Sequence, residues 1–306
     1  MSDPLRLTGV IPPVCTPFTP DGELDTGSLL RLVDHLMGAG VDGLFVLGSS
    51  SEAAFLTDRA RRAVTEAVVA HVGGALPVLA GAIDMTTPRV LDHARAAVAA
   101  GADAIVATAP FYTRTHPAEI ERHYRLIAEA AGVPVVAYDL PTSVGTKLPT
   151  DVVLRLAADG VLAGLKDSSG DEGALREVVR GRAPGFSVLT GSELLVDTAM
   201  LIGADGAVPG LGNVDPAGYV RVHRACVAGD WAAARAEQER LAALFAIVGV
   251  GSPARMGRGA AGIGAFKAAL RLRGVIDHAT VAEPQTPLTD EETALIAGHL
   301  TAAGLL

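Results

Sequence analysis

The sequence predicts an α/β fold, a (β/α)₈ barrel followed by a small helical C-terminal region. Short apolar segments alternate with longer amphipathic segments along most of the 306 residues. Most of the apolar segments are continuous runs, which is typical of parallel strands that are buried on both faces. Eight such units favour a closed barrel over an open sheet. No G-x-G-x-x-G motif follows the first strand, which argues against a dinucleotide-binding fold.

The individual elements follow from this alternation. Strands are predicted at Gly9–Val14, Gly43–Leu47, Pro77–Ala80, Ala104–Thr108, Pro134–Tyr138, Leu162–Lys166, Ser187–Leu189 and Gly206–Val208. Helices are predicted between them, at Ser28–Met37, Asp58–His71, Thr87–Ala99, Pro117–Ala130 and Thr150–Ala157. Glycine stands between a helix and the next strand at Gly40, Gly101 and Gly203, as expected at a helix C-terminus.

The strand pattern stops after about residue 215. We therefore assign residues 1–215 to the barrel with its active site, and residues 216–306 to a helical region packed on it. Helices are predicted there at Gly218–Val227, Asp230–Val248, Gly262–Arg273 and Asp290–Ala302. The glycines between Gly257 and Gly264 follow no strand and predict a loop.

Composition excludes several classes of protein. The net charge of −9 would repel nucleic-acid phosphates. The longest apolar run, Leu241–Gly251, is shorter than a membrane-spanning helix, and no basic segment followed by an apolar one marks the start of the chain. Cys15 and Cys226 are far apart and predict free thiols in a reducing cytosol. We expect a cytoplasmic protein that binds neither nucleic acid nor membrane.

Lys166 is the strongest candidate for catalysis. It ends the apolar run that begins at Val161, and it is one of only three lysines, with Lys147 and Lys267. The active site of a barrel lies at the carboxyl ends of its strands. An amine must be neutral to attack a carbonyl, and burial makes lysine side chains easier to deprotonate. Alternatively, Lys166 leaves its strand for solvent or forms an ion pair with Asp167.

Hydroxyl groups accompany this lysine at other strand ends. Tyr138 ends the fifth strand, and a buried tyrosine hydroxyl can both donate and accept a proton. Ser49 and Ser50 follow the second strand, where hydroxyl and backbone N–H groups can bind a carboxylate. The alternative for Tyr138 is an ordinary core residue, and for the two serines a simple turn.

Three motifs, in order, resemble the dihydrodipicolinate synthase/N-acetylneuraminate lyase family of class I aldolases. The family pattern G-[ST]-[ST]-G-E is present as Gly48-Ser49-Ser50-Ser51-Glu52, with serine in place of the second glycine. The Y-N-x-P element is present as Tyr138-Asp139-Leu140-Pro141, and the lysine strand as Gly164–Ser169. The resemblance runs over nearly the whole chain and covers each strand end discussed above.

The resemblance implies a role for each of these residues. Lys166 corresponds to the Schiff-base lysine, Tyr138 to the tyrosine that moves protons, and Ser49 to a relay hydroxyl. Tyr112 corresponds to a tyrosine contributed across a subunit interface. We expect the substrate to be bound by Ser50, Ser143, Gly191, Glu193 and Val208. The resemblance further implies a homotetramer built as a dimer of dimers, a small 2-keto acid substrate and no cofactor or metal beyond the imine on Lys166.

Departures from the family pattern bear on the substrate. Dihydrodipicolinate synthases place an arginine two residues after the motif proline to bind the carboxylate of the aldehyde, and this chain has Ser143 there. The loop Glu52–Arg61 lacks the histidines associated with feedback by lysine in some synthases. Ser192-Glu193-Leu194 does not reproduce the acidic pair of sialic-acid lyases. A 2-keto-3-deoxy sugar acid, or a related hydroxy-keto acid, fits these differences best.

Three alternatives remain at this point. The protein is a synthase that binds its aldehyde through another cation such as Arg114, or it forms the imine but dehydrates its substrate. From a different class, it is a catalytically silent barrel with a binding role. The combination of Lys166, Tyr138 and Ser49 argues against the last alternative.

Overall fold

Eight parallel strands form the centre of the computed structural model, which describes residues 5–306. The predicted number and order of strands are confirmed. The strands are β1 Gly9–Val10, β2 Leu44–Val46, β3 Val78–Gly81, β4 Ala104–Thr108, β5 Val135–Asp139, β6 Gly164–Asp167, β7 Ser187–Thr190 and β8 Gly206–Ala207. Their residues are all buried, as expected of strands covered on both faces.

The sheet curls so that its first and last strands approach each other. Its strand order is β1-β8-β7-β6-β5-β4-β3-β2. At the two edges, the backbone N–H of Phe45 donates to Pro12 at 3.0 Å, and that of Val14 donates to Phe45 at 2.8 Å. β1 is shorter than predicted because Pro12 and Pro13 have no N–H group with which to extend a ladder.

Helices surround the sheet and continue beyond it. They are α1 Thr26–Gly38, α2 Asp58–Val72, α3 Thr87–Ala99, α4 Pro117–Ala131, α5 Pro141–Val144, α6 Thr150–Ala158, α7 Glu172–Gly181, α8 Val196–Ile202, α9 Pro216–Val227, α10 Trp231–Phe245, α11 Arg258–Leu272 and α12 Asp290–Ala302. The five helices predicted before residue 160 are therefore confirmed within a few residues. Among residues 5–306, no helix combines the length and the hydropathy needed to cross a bilayer.

Two apolar cores hold these layers together. The larger core lies between the sheet and its helices. The smaller core fills the inside of the curled sheet and consists of Leu7, Ile11, Phe45, Leu79, Ala104, Val106, Val136, Tyr138, Leu189 and Val208. Because these side chains fill the inside of the curled sheet, a ligand can bind only at one of its ends.

The C-terminal region is helical, as predicted, although one expectation there is wrong. The segment Gly257–Gly264 is not a loop, because α11 already begins at Arg258. Buried Ala261, Ala265 and Phe266 on this helix supply packing that outweighs the poor helix propensity of glycine. The division of the chain at residue 215 stays a prediction.

Candidate active site

A cavity of about 350 Å³ opens at the carboxyl ends of the strands. Most of the predicted site residues line it: Ser49, Ser50, Tyr138, Ser143, Lys166, Gly191, Glu193 and Val208. These residues come from the ends of five strands or from the loops that follow them, and the curled sheet brings them together. The cavity therefore lies where the chemistry of a (β/α)₈ fold is expected.

Lys166 contributes a buried amine to this cavity. It lies on β6 in register with Tyr138 of β5 and Leu189 of β7, so the three side chains share the inner face of the sheet. The residue is only 4% exposed. Its Nζ lies 4.0 Å from the centroid of the Tyr138 ring and 4.9 Å from that of Phe45. Lys166 is thus not directed to solvent, and its amine lies against two aromatic rings at the cavity.

The charge environment of Lys166 differs from that of the other two lysines. Lys147 forms an ion pair with Asp139, and Lys267 forms one with Glu52. Within residues 5–306, no carboxylate lies at ion-pair distance from Lys166, and the alternative pairing with Asp167 is not formed. Among the three lysines of the described chain, the amine of Lys166 is thus the one that no ion pair occupies, and it can reach a carbonyl group in the cavity.

Tyr138 forms the wall beside this amine. It is buried, and its ring meets the ring of Phe45 edge to face, with centroids 6.4 Å apart. Two rigid aromatic rings therefore fix the direction of the Lys166 side chain. The next residue, Asp139, replaces the asparagine of the family motif and binds Lys147 and the backbone N–H of Leu148.

The loop after β2 is held by the serine that replaces the usual glycine. Ser51 Oγ donates to the carbonyl of Val14 at 2.5 Å and accepts from the N–H of Gly48 at 3.2 Å. The hydroxyl of Thr16 donates to the carbonyl of Ser51 at 2.8 Å. This substitution therefore adds hydrogen bonds that fix the loop carrying Ser49 and Ser50.

Glu193 and Ser50 meet at Gly210. Glu193 Oε1 accepts from the N–H of Gly210 at 3.0 Å. A Cβ at Gly210 would lie 3.2 Å from Ser50 Oγ and closer still to Glu193, so a side chain there would displace both. Burial raises the pKa of the Glu193 carboxyl, while the N–H of Gly210 and the charge of Lys166 partly offset this.

Gly191 contributes space for neighbouring side chains and has no side chain that could contact a ligand. A Cβ at this position would approach Lys166 Cε to 3.2 Å and overlap Ser168. Val208 packs in the apolar core below, and Ser143 lies on the short helix α5. The structure thus places these predicted binding residues at the cavity, with different physical contributions.

Tyr112 does not line the cavity of its own chain. The residue is 91% exposed and adopts a left-handed backbone with φ of 75°, which is unfavourable for a non-glycine residue. Arg114, the alternative cation, is also exposed and does not line the cavity. The contribution of Tyr112 to a neighbouring subunit stays a prediction.

Several residues at the site were missed in the sequence. Asp167, Asp171, Glu172 and Thr190 line the cavity. The only indication of these residues in the sequence is that the three acidic ones closely follow Lys166 along the chain. Two further residues act from helices distant in the chain, because Tyr219 and Gln238 donate to the carbonyl of Glu193 at 3.1 and 2.9 Å. No local pattern marks this last pair.

The sequence of this chain is similar to those of proteins in one known family. The profile of the "Dihydrodipicolinate synthetase family" matches residues 6–303. The chain is 35% identical to the "Probable 2-dehydro-3-deoxy-D-pentonate aldolase YjhH" of Escherichia coli K12, with 81% of this chain and 84% of that protein covered. It is 33% identical to the 4-hydroxy-tetrahydrodipicolinate synthase of Kineococcus radiotolerans, with coverage of 99% and 96%.

A solved structure extends the comparison to the fold. YagE, a prophage protein of the dihydrodipicolinic acid synthase family from E. coli K12, was crystallised in complex with pyruvate. It superimposes with a TM-score of 0.91 at 31% identity, over 98% of this chain and 99% of that chain.

Among residues 5–306, no cluster of three or more histidine, cysteine or acidic side chains has the arrangement of a metal site.

Proposed function

Since the chain belongs to the dihydrodipicolinate synthetase family, we propose that it is a class I, pyruvate-dependent lyase that reversibly cleaves a 2-keto-3-deoxy sugar acid or a related hydroxy-keto acid. The products are pyruvate and an aldehyde. Family members named as an aldolase and a synthase support an enzyme of this kind. The observation that carries the proposal is the buried amine of Lys166, which lines the cavity and has no carboxylate partner within residues 5–306.

The proposed reaction begins at Lys166. Nζ attacks C2 of the keto acid, water leaves, and an imine forms. The C3–C4 bond then breaks as a proton passes from the C4 hydroxyl to Tyr138, and the aldehyde departs. The resulting enamine takes up a proton at C3, and hydrolysis of the imine releases pyruvate and restores the amine. No cofactor or metal enters these steps.

The remaining site residues support binding in this proposal. Ser50 binds the keto-acid carboxylate, and Ser49 completes the proton relay of Tyr138. Tyr112 joins the same relay from a neighbouring subunit of a homotetramer, which fits its exposure and its place outside its own cavity. The two buried free thiols favour a cytoplasmic location.

The choice of aldolase over synthase depends on charge. The aldehyde of a synthase carries a second carboxylate, which needs a cation at the site. Ser143 stands where the synthases have arginine, and Lys166 is the only cationic side chain among the described residues that line the cavity. Arg255 lines an adjoining cavity that shares Ser143, but it forms an ion pair with Glu292. The relatives carry names of both kinds, so the proposal of an aldolase is based on the residues at the cavity.

A substrate panel tests this proposal. A series of 2-keto-3-deoxy acids is assayed for pyruvate release, beside a condensation assay of pyruvate with aspartate semialdehyde. We expect pyruvate from at least one sugar acid and little condensation. Efficient condensation would instead establish the synthase, and loss of water without loss of carbon would establish a dehydratase. Inactivity with every keto acid would instead favour the catalytically silent barrel.

A further inference from the structure

One side of the cavity is acidic. Asp167, Asp171 and Glu172, here called the acidic wall, line it together with Glu193. Opposing these four carboxyl groups, Lys166 is the only lysine or arginine among the described residues of the lining. Once Lys166 has formed an imine, its charge is engaged by the keto acid itself. The rest of the cavity therefore presents a negative or neutral surface to the remainder of the substrate.

Two oxygen atoms of this wall have no hydrogen-bond donor within the described chain. Asp167 is 7% exposed; its Oδ1 accepts from the N–H of Ser169 at 2.8 Å, whereas its Oδ2 is buried without a partner. Glu172 Oε2 is likewise buried and unpartnered. A buried acceptor without a donor is unfavourable, so rotation of either carboxyl group toward a hydroxyl or N–H group of a ligand in the cavity would be favoured.

The third acid of the wall is already engaged. Asp171 Oδ1 accepts from the N–H of Ala174 and caps helix α7, which leaves Glu172 as the first residue of that helix. Burial and the charges of Asp167 and Asp171 raise the pKa of the Glu172 carboxyl. Three carboxyl groups therefore lie close enough together at this wall to influence one another, with no cation of the described lining between them.

The acidic wall and the loop with Ser49 and Ser50 follow strands on opposite sides of the curled sheet. The wall follows β6, and the loop with Ser49 and Ser50 follows β2. In the strand order of the sheet, β6 and β2 are separated by the same number of strands in both directions around the curl. With the keto-acid carboxylate at Ser50, the carbon chain beyond C3 has the acidic wall as its opposite boundary.

We propose that Asp167 and Glu172 select the distal end of the keto acid, which is a neutral chain bearing hydroxyl groups. These two carboxyl groups accept hydrogen bonds from its hydroxyls and repel a chain that ends in phosphate or a second carboxylate. The substrate is accordingly an unphosphorylated monocarboxylic 2-keto-3-deoxy acid. This inference rests on the proposed function, because it identifies the far end of the same substrate.

Three probes of equal carbon number test the inference: 2-keto-3-deoxygluconate, its 6-phosphate, and the corresponding acid oxidised at C6 to a carboxylate. We expect kcat/KM to be highest for the neutral acid. Glu172→Gln should raise KM for that acid by about 10- to 100-fold with a smaller change in kcat, as for loss of a hydrogen bond to a charged group. Glu172→Lys should in addition raise kcat/KM for the two anionic probes.

Glu177→Gln and Glu177→Lys are the matched controls. Glu177 lies on the same helix, is exposed and does not line the cavity, so neither change should move the ranking. Borohydride trapping with pyruvate, which has no distal chain, reports whether each variant still forms its imine. Glu172 variants that trap pyruvate yet keep the wild-type ranking of the three probes would overturn the inference.

The wild-type protein separates this inference from the proposed function. If it traps pyruvate and cleaves the phosphorylated or dicarboxylic probe as well as the neutral one, the inference fails and the aldolase stands. If it traps no keto acid and releases no pyruvate, the proposed function fails, and the inference fails with it.

Discussion

Two buried lysines show how differently one side chain can be used. Lys166 is 4% exposed and Lys267 is 0% exposed, and each Nζ lies 4.0 Å from the centroid of an aromatic ring. Lys267 forms an ion pair with Glu52 and donates to the carbonyl of Thr280 at 2.8 Å. Lys166 has no such partner within the described residues and lines the cavity. Burial is similar, and the partners differ.

The partners of Lys267 indicate a role in positioning. Glu52 ends the motif that carries Ser49 and Ser50, and Lys267 lies on α11 in the C-terminal region. Glu52 Oε1 also accepts from the N–H of Ala282 at 2.7 Å and from Gln285 at 2.8 Å. Burial lowers the pKa of Lys267, and the charge of Glu52 opposes that change. A buried charge pair of this kind joins two regions, whereas an unpaired amine is available for reaction.

Replacement of Lys166 should have the largest effect on activity. A small effect would contradict the contrast drawn between Lys166 and Lys267. Lys166→Arg keeps a positive charge but cannot form an imine, so activity should fall by at least about 10³-fold. In the wild-type protein, borohydride with pyruvate should add one substrate mass to a peptide containing Lys166. Labelling at Lys147 or Lys267 instead would remove the distinction between the lysines.

Replacement of Lys267 should act on stability first. Lys267→Met leaves Glu52 buried without its counterion and should lower the free energy of unfolding by about 3–5 kcal/mol. The double variant Lys267→Met/Glu52→Gln removes both charges and should recover part of that loss. Denaturant unfolding of the wild type, the two single variants and the double variant gives the coupling directly. Additive single effects would mean that the two charges do not interact.

The thiol beside the Lys267 pair should show the smallest effect. Burial raises the pKa of Cys15 to about 12; the charge of Lys267 opposes this shift and that of Glu52 adds to it. Burial also raises the pKa of Cys226 to about 11. A thiol reacts as its thiolate, which forms only as the pH approaches the pKa, so native protein at pH 8 should resist alkylation. Mass spectrometry should find both cysteines alkylated only after unfolding; rapid labelling of native Cys15 would contradict its burial beside this pair.

The sequence by itself was sufficient for much of the fold and the centre of the site. Continuous apolar runs predict buried parallel strands. The predicted family is confirmed by the family profile, which matches residues 6–303. Lys166 and Tyr138 were found because each ends such a run, and the end of a strand is a local feature of the chain. Their neighbourhood then follows from strand pairing, which places them in register.

Only the tertiary structure decided the environment of these residues. The ion pair of Lys267 with Glu52, the two donors to Glu193 and the unpartnered oxygens of the acidic wall all depend on groups brought together by folding. Helix α11 begins before its predicted start for the same reason, because distant apolar contacts outweigh local glycine propensity. Local patterns determine where strands and helices form. Charge partners, buried acceptors and packing depend on distances between remote residues, which a linear pattern does not contain.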